Sequence, residues 1–102
     1  MAGLGDILKQ AQKMKAEMDR IQAEVGAKTV EGSAGGGMVT VVASGRGELV
    51  SIRIDPEAAR EDREMLQDLV VAAVNDALRK ARELLTQEMS RVAGGLGLPG
   101  LF

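Results

Sequence analysis

Apolar residues recur at seven-residue intervals in the first quarter of the chain. The two interleaved series are Leu4, Ala11, Met18 and Val25, and Ile7, Met14 and Ile21. This spacing predicts a helix over residues 6–25, with Asp6 able to cap its start and Gly26 placed for a left-handed C-terminal cap. The narrow stripe favours helix-on-helix packing, either with a second copy or with a later helix of the same chain. An ordinary amphipathic helix that covers its own sheet is the alternative.

The next thirty residues alternate in the manner of strands separated by glycine-rich turns. The predicted strands are 28–31, 38–44 and 49–54, with turns at 33–37 and 45–47. In the third strand Val50, Ile52 and Ile54 are predicted to face inward. Connections this short force antiparallel hairpins, because parallel neighbours need a long crossover. Three strands bury one face only, so a helix must cover them.

A long helix is predicted over residues 62–92, after Asp55-Pro56-Glu57 has ended the sheet. At 1.5 Å per residue it would be about 45 Å long, against about 30 Å for a compact domain of this size. Its second half must overhang while staying apolar on one side, and a second copy is the simplest cover. The fold class is therefore α+β: an N-terminal helix, a three-stranded antiparallel meander and a long C-terminal helix, in a homodimer with projecting helices. The residues predicted for the seam between subunits are Ile7, Ala11, Met14, Met18, Ile21, Leu78 and Leu85.

Residues 1–93 form the predicted domain, and residues 94–102 form a tail rich in glycine and leucine. Glycine at this density disfavours regular structure, so we expect the tail to be mobile or to pack its leucines onto a neighbour.

Composition narrows the function classes. The 102 residues are 45% apolar and include no Cys, His, Trp or Tyr. This removes disulfides, thiolate and imidazole metal ligands, and almost all aromatic stacking on bases. With no signal-peptide pattern and no spanning segment, we expect a cytoplasmic protein without membrane association, metal or cofactor. The net charge of −2 argues mildly against a nucleic-acid partner.

Catalytic motifs are weak or missing. The run Gly35-Gly36-Gly37 precedes a strand and lacks the Lys-Ser/Thr of a phosphate loop, so a hairpin turn is favoured. Acidic residues crowd around the start of the long helix, where the helix dipole is a sufficient cause. Asn75 and Asp76 interrupt an apolar face, and either set register at a seam or face solvent and cap a loop. We therefore expect neither an enzyme nor a small-molecule substrate.

Basic residues offer the more specific hypothesis. Lys9, Lys13 and Arg20 share one side of the first helix, and Arg79, Lys80 and Arg82 load the second half of the long helix. They either lie on solvated faces that complement the helix dipole, or grip DNA phosphates at the projecting ends of a dimer.

Local phrases along the whole chain resemble the YbaB/EbfC family of nucleoid-associated proteins. They cover residues 8–14, 32–41, 52–57, 64–77 and 95–100, of which 64–77 is the most specific. The resemblance implies a homodimer whose helices project like tweezers and bind double-stranded DNA in the nucleoid. It attributes DNA contact to the projecting helices, and so to the six basic residues named above.

Two functions follow as hypotheses. The first is a nucleoid protein that binds double-stranded DNA mainly through phosphates and shape, with low sequence specificity. The alternative is an adaptor for repair or recombination proteins without direct DNA binding, suggested by the acidic pI, the apolar stripe and the leucine-rich tail.

Overall fold

The structure, a computed structural model, describes residues 3–60 and 62–95. It confirms the predicted α+β order of a helix, three antiparallel strands and a long helix. The elements are α1 (Leu4–Gly26), β1 (Thr29–Ala34), β2 (Val39–Ser44), β3 (Leu49–Ile54), α2 (Pro56–Ala59) and α3 (Arg63–Gly95).

The strands form a meander in the order β1-β2-β3, with both neighbouring pairs antiparallel. β2 is the central strand, and its alternate residues Val39, Val41 and Ala43 are fully buried. They pack with Ala73 and Ala77 of α3 to form the core. The alternation of apolar residues in β2 therefore corresponds to one buried face of the sheet, as the sequence predicts.

α3 lies unusually close to β1 because both surfaces carry small residues. Gly32 of β1 is buried beneath the helix, and a Cβ added there would lie 2.3 Å from the Ala77 nitrogen and 2.6 Å from the Ala73 carbonyl oxygen. No side chain larger than hydrogen fits at this crossing. The close approach also explains why β1 continues through Gly32 to Ala34, three residues beyond the predicted strand.

Polar groups of α3 satisfy the outer edge of β1. The Ser33 backbone N–H donates to the Asp76 carboxylate over 3.1 Å, and Lys80 Nζ donates to the Glu31 carbonyl oxygen over 3.0 Å. Asp76 thus binds a neighbouring strand of its own chain. A role of Asn75 and Asp76 in setting register between two subunits stays a prediction. With these groups occupied, β1 is a poor template for another strand.

α1 packs against the second half of α3 in the same chain. Val25 and Leu85 line one cavity between them, and Lys28 pairs with Glu88 at 3.8 Å. Beyond the sheet Ala93 is still only 5% exposed. α1 therefore covers the overhang of α3 over this length, where the sequence predicts a second copy. Of the partners left open for α1, the structure selects the later helix of its own chain.

Two predicted caps of α1 are wrong. The helix begins at Leu4 with Gly3 as N-cap, and Asp6 lies in the first turn, where its carboxylate accepts from the Gly3 N–H at 3.4 Å. Gly26 stays within the helix and Ala27 ends it with φ −83°. A Cβ at Gly26 would lie 2.5 Å from Arg46 Nε, so a larger residue there would displace the flexible Arg46 side chain.

β3 departs most from expectation. The register places Ile52 opposite Val41 and Ile54 opposite Val39, on the face that α3 covers elsewhere. Yet Val50, Ile52 and Ile54 are 61%, 45% and 38% exposed, so the prediction that they are buried inward is wrong for a single chain. The cause is the position of α3, which lies over β1 and β2 and leaves β3 uncovered.

The other boundaries differ slightly. α3 runs from Arg63 to Gly95, so two glycines assigned to the tail are helical. The rest of the predicted tail, residues 96–102, lies outside the described residues. Asp55 caps α2 as predicted, its side chain accepting from the Glu57 N–H at 2.9 Å.

Candidate nucleic-acid interface

α1 and the end of α3 form an arm that projects from the sheet. The protein measures 69 × 22 × 17 Å, far longer than a compact domain of this size. Lys9 and Lys13 lie on the exposed first half of α1, one helical turn apart. Within the described ranges neither lies within salt-bridge distance of a carboxylate. Both ammonium groups are thus available to an external anion.

Arg20 lies further along the same side of α1 but is already engaged. Its guanidinium contacts Glu17 at 2.8 Å and Glu24 at 2.9 Å. The two carboxylates raise the pKa of Arg20, and Arg20 in turn lowers the pKa of Glu17. Exposed pairs of this kind are weak, so a phosphate can displace them, but it must compete with two carboxylates.

The three basic candidates of α3 divide in the same way. Arg79 pairs with Asp76 and, at 3.7 Å, with Glu83. Lys80 contacts Asp76 at 3.3 Å while it binds β1. Arg82 is exposed, and no ion pair involves it among the described residues. It lines a shallow depression on the outer side of α3, with Thr86 and Gln87 beside it.

Asp76 connects this group to the sheet. The pKa of its carboxyl group is held below the usual range, first by the Ser33 N–H and then by Lys80 and Arg79. The charge of Asp76 therefore holds Lys80 and Arg79 near β1. Lys80 and Arg79 thus have a structural role as ion-pair partners of Asp76, and a role in DNA contact stays a prediction.

The residues predicted for a seam between subunits occupy three different environments. Ile21 is buried, and Met14, Met18 and Leu85 are half-buried, where α1 meets α3. Leu78 of α3 packs against the core. Ile7 and Ala11 are exposed on the arm. Their contact with a second copy stays a prediction, but most of the set already has a neighbour within the chain.

Sequence reasoning did not single out an apolar surface on β3. We call it the β3 patch and define it by Leu49, Val50, Ile52 and Ile54, which are 38–61% exposed. The alternation of β3 predicts burial by the chain's own helix. The signal for exposure is tertiary, because it depends on where α3 crosses the sheet.

Other chemistry is sparse in the part of the chain that the structure describes. Residues 35–38 form a plain hairpin turn, and Gly35, Gly36 and Gly37 adopt positive φ values of 65°, 67° and 98°. Within residues 3–60 and 62–95 no three acidic side chains gather to hold a metal ion. No helix in these ranges has the length and apolarity to cross a membrane.

Comparison with known proteins identifies the family of this chain. The YbaB/EbfC DNA-binding family matches residues 1–96. The chain belongs to this family. It is 56% identical over 100 residues to a nucleoid-associated protein of Pelotomaculum thermopropionicum, covering 97% of this chain and 95% of the relative. A nucleoid-associated protein of Acetivibrio thermocellus is 57% identical over 101 residues, covering 97% and 89%.

A solved structure has the same fold. The crystal structure of the uncharacterized protein HP0035 from Helicobacter pylori superposes with a TM-score of 0.74 at 25% identity, covering 94% of this chain and 98% of that chain. Membership of the family and the fold thus agree along nearly the whole length.

Proposed function

We propose that this protein binds double-stranded DNA in the nucleoid as a homodimer, mainly through phosphates and with low sequence specificity. Membership of a DNA-binding family and the nucleoid-associated relatives support DNA as the partner. The observation that carries the site is the pair Lys9 and Lys13, which are exposed on a projecting arm and lie beyond salt-bridge distance of any carboxylate among the described residues.

Phosphate contact suits these residues better than base recognition. Lysine is a flexible point charge that binds phosphate without fixed geometry. The chain has one aromatic residue and no His, so base stacking has little support. Arg82 adds a further exposed cation on α3, whereas Arg20, Arg79 and Lys80 would have to exchange their present partners for phosphate.

The β3 patch is our proposed dimer surface. Its apolar side chains lie on an edge strand that is exposed along its whole length. β1, the opposite edge, is occupied by Asp76 and Lys80. An exposed apolar edge strand is prone to association, and a two-fold contact lets the patches of two copies cover each other. A dimer built this way carries two arms.

The DNA proposal is tested by anisotropy titrations of a duplex across a salt series. Log affinity falls with log salt at about 0.9 per phosphate neutralised, so losing two contacts per subunit lowers the slope by about 3 to 4 in a dimer. We expect this for the double variant Lys9→Gln/Lys13→Gln.

The matched control is Lys15→Gln/Lys28→Gln, which removes the same charge from residues that already pair with Asp19 and Glu88. It should change the slope much less. Equal slopes for both double variants would show that net charge, and not the arm, governs binding. Absence of binding by the unmodified protein at low salt would favour the adaptor function.

The dimer surface is tested by Ile52→Asp, with molar mass measured by sedimentation equilibrium. Burying an unpaired charge costs several kcal/mol, so this variant should be monomeric where the unmodified protein is dimeric. Ser51→Asp is the control, because Ser51 is the adjacent residue of β3 and its side chain points to the other face of the sheet. A dimeric Ile52→Asp variant would remove the β3 patch from the interface.

A further inference from the structure

The face of the sheet opposite α3 is polar. The buried residues of β2 point toward α3, so the residues between them, and their partners on β1 and β3, point to the other side. Five of these eight outward side chains are Ser or Thr, and the others are Glu31, Val42 and Arg53. We call this surface the open face. It offers hydrogen-bonding groups to a polar ligand and little apolar area to a protein partner.

Arg53 is the cation of the open face. It is exposed on β3 opposite Thr40, and its guanidinium lies beyond salt-bridge distance of every carboxylate that the structure describes. Glu31 lies on β1, two strands and about 10 Å away. A guanidinium binds phosphate oxygens through paired N–H groups, and Ser and Thr hydroxyls are common phosphate contacts. Arg53 with its hydroxyl neighbours therefore suits a phosphate.

α1 and β1 lie end to end beneath α3. Only residues 27–28 separate the two elements. Asp76 of α3 contacts Ser33, and Glu88, further along α3, contacts Lys28, so α3 runs antiparallel to β1. Beyond the sheet α3 continues over the last turns of α1. The side of α1 that faces away from α3 is therefore continuous with the open face.

The basic residues of α1 lie on this same side. Ile21 and Val25 are 2% exposed where α1 meets α3. Lys9, Lys13 and Arg20 lie roughly 100–150° round the helix from the middle of that buried side. Their side chains therefore point away from α3, as Arg53 does on the sheet.

The cations of the arm and of the sheet are about one turn of DNA apart. Thirteen helical residues separate Lys13 from Gly26 at the end of α1. β2 starts near Arg53, which pairs with Thr40, and ends beside α1 at Ser44. At 1.5 Å per helical residue and about 3.3 Å per strand residue, Arg53 is roughly 35–40 Å from Lys13 along the long axis. One turn of B-DNA is about 34–36 Å, so a duplex parallel to this axis presents the same side to both.

We propose that double-stranded DNA contacts the open face as well as the arm, with Arg53 as a phosphate-binding residue; this rests on the proposed function. The duplex lies along the side opposite α3, where Lys9 and Lys13 bind one turn and Arg53 binds the next. Ile52 and Ile54 of the β3 patch flank Arg53 and point to the other face of the sheet. The open face thus stays accessible in a dimer formed through that patch.

The contribution of Arg53 is measured by duplex titrations of Arg53→Gln across a salt series. Loss of one phosphate contact per subunit should lower the salt slope by about 2 in a dimer. The matched control is Arg91→Gln, which removes the same charge from an exposed residue of α3 that already pairs with Glu88. It should change the slope much less.

Proximity is measured on single-cysteine variants, since the chain has no cysteine of its own. Ser51→Cys places a thiol on the open face, and a photo-cross-linker attached to it should form an adduct with a duplex of about 20 bp, or two turns. Ala72→Cys places the same thiol at an exposed position of α3 and should form little adduct. Ala16→Cys, seven residues after Lys9, reports DNA on the arm.

The outcomes separate this inference from the proposed function. Adduct at Ala16→Cys without adduct at Ser51→Cys would confine DNA to the arm, overturning the inference and leaving the proposed function intact. Equal adducts at Ser51→Cys and Ala72→Cys, or equal slopes for Arg53→Gln and Arg91→Gln, would also overturn it. If the unmodified protein bound no duplex at low salt, both the proposed function and this inference would fail.

Discussion

Gly32 is the position where the structure makes its sharpest prediction about stability. Replacing it with Ala puts a Cβ 2.3 Å from the Ala77 nitrogen and 2.6 Å from the Ala73 carbonyl oxygen. These atoms belong to the backbone of α3, so no side-chain rotation can relieve the overlap. Ordinary contact distances require the helix to withdraw from β1 by about 1 Å.

The cost can be worked from what that withdrawal disturbs. Ala73 and Ala77 pack on Val39 and Val41 in the centre of the core. A radial gap of 0.5–1 Å forfeits about a quarter to a half of each dispersion contact, and overpacked cores lose about 1–3 kcal/mol. Alanine recovers about 0.5–1 kcal/mol because it loses less backbone entropy than glycine on folding. We expect a net loss of about 1 kcal/mol, or roughly 4–8 °C in Tm for a domain of this length.

The assay is thermal and urea unfolding followed by circular dichroism, with protomer concentration held fixed because association stabilises the fold. Gly5→Ala is the control, since it makes the same chemical change in a helix where a Cβ meets nothing within 4 Å. It should leave stability unchanged or raise it slightly. If Gly32→Ala were as stable as Gly5→Ala, the close packing of α3 on β1 would be refuted.

Two further predictions concern charge. The pKa of the Asp76 carboxyl group is lowered, so its stabilising contribution is complete above the unfolded-state pKa and is lost as pH falls through the folded value. Asp76→Asn should therefore lower Tm at pH 7, and the difference from the unmodified protein should shrink below about pH 4; a difference independent of pH would contradict this. Glu17→Gln/Glu24→Gln frees Arg20 and should raise duplex affinity, with a salt slope steeper by up to about 1 per subunit. An unchanged slope would place Arg20 away from DNA.

The sequence predicted most of the fold because most elements are strongly periodic. The seven-residue series of α1 and the alternation of β2 each identify an element and its buried face. β1 was predicted too short, because its central Gly32 reads as a strand breaker when the helix above it is unknown. The same glycine is the residue that lets α3 approach, so local propensity and tertiary packing pointed in opposite directions there.

The candidate site was less predictable than the fold, because only some of its contacts are local in sequence. The pairing of Arg20 could have been read from the sequence, since Glu17 and Glu24 lie three and four residues away on one helix. The contacts of Lys80 with the Glu31 carbonyl oxygen and of Asp76 with Ser33 could not, because they join segments more than forty residues apart. Exposure of the β3 patch could not be predicted from the sequence either, because it depends on which strands α3 covers.

The negative net charge is a weak argument against DNA binding once the pairs are considered. Arg20, Arg79 and Lys80 contact carboxylates on their own helices, so their charges and those of their partners largely cancel beyond a Debye length of about 8–10 Å. At close range a phosphate backbone contacts individual charged side chains. On the arm these side chains include Lys9 and Lys13, which have no salt-bridge partner among the described residues. A dimer presents this pair twice, so the acidic composition limits long-range attraction without preventing contact. Binding of this kind should weaken steeply with salt, and the double lysine variant should lower the salt slope by about 3 to 4 in a dimer.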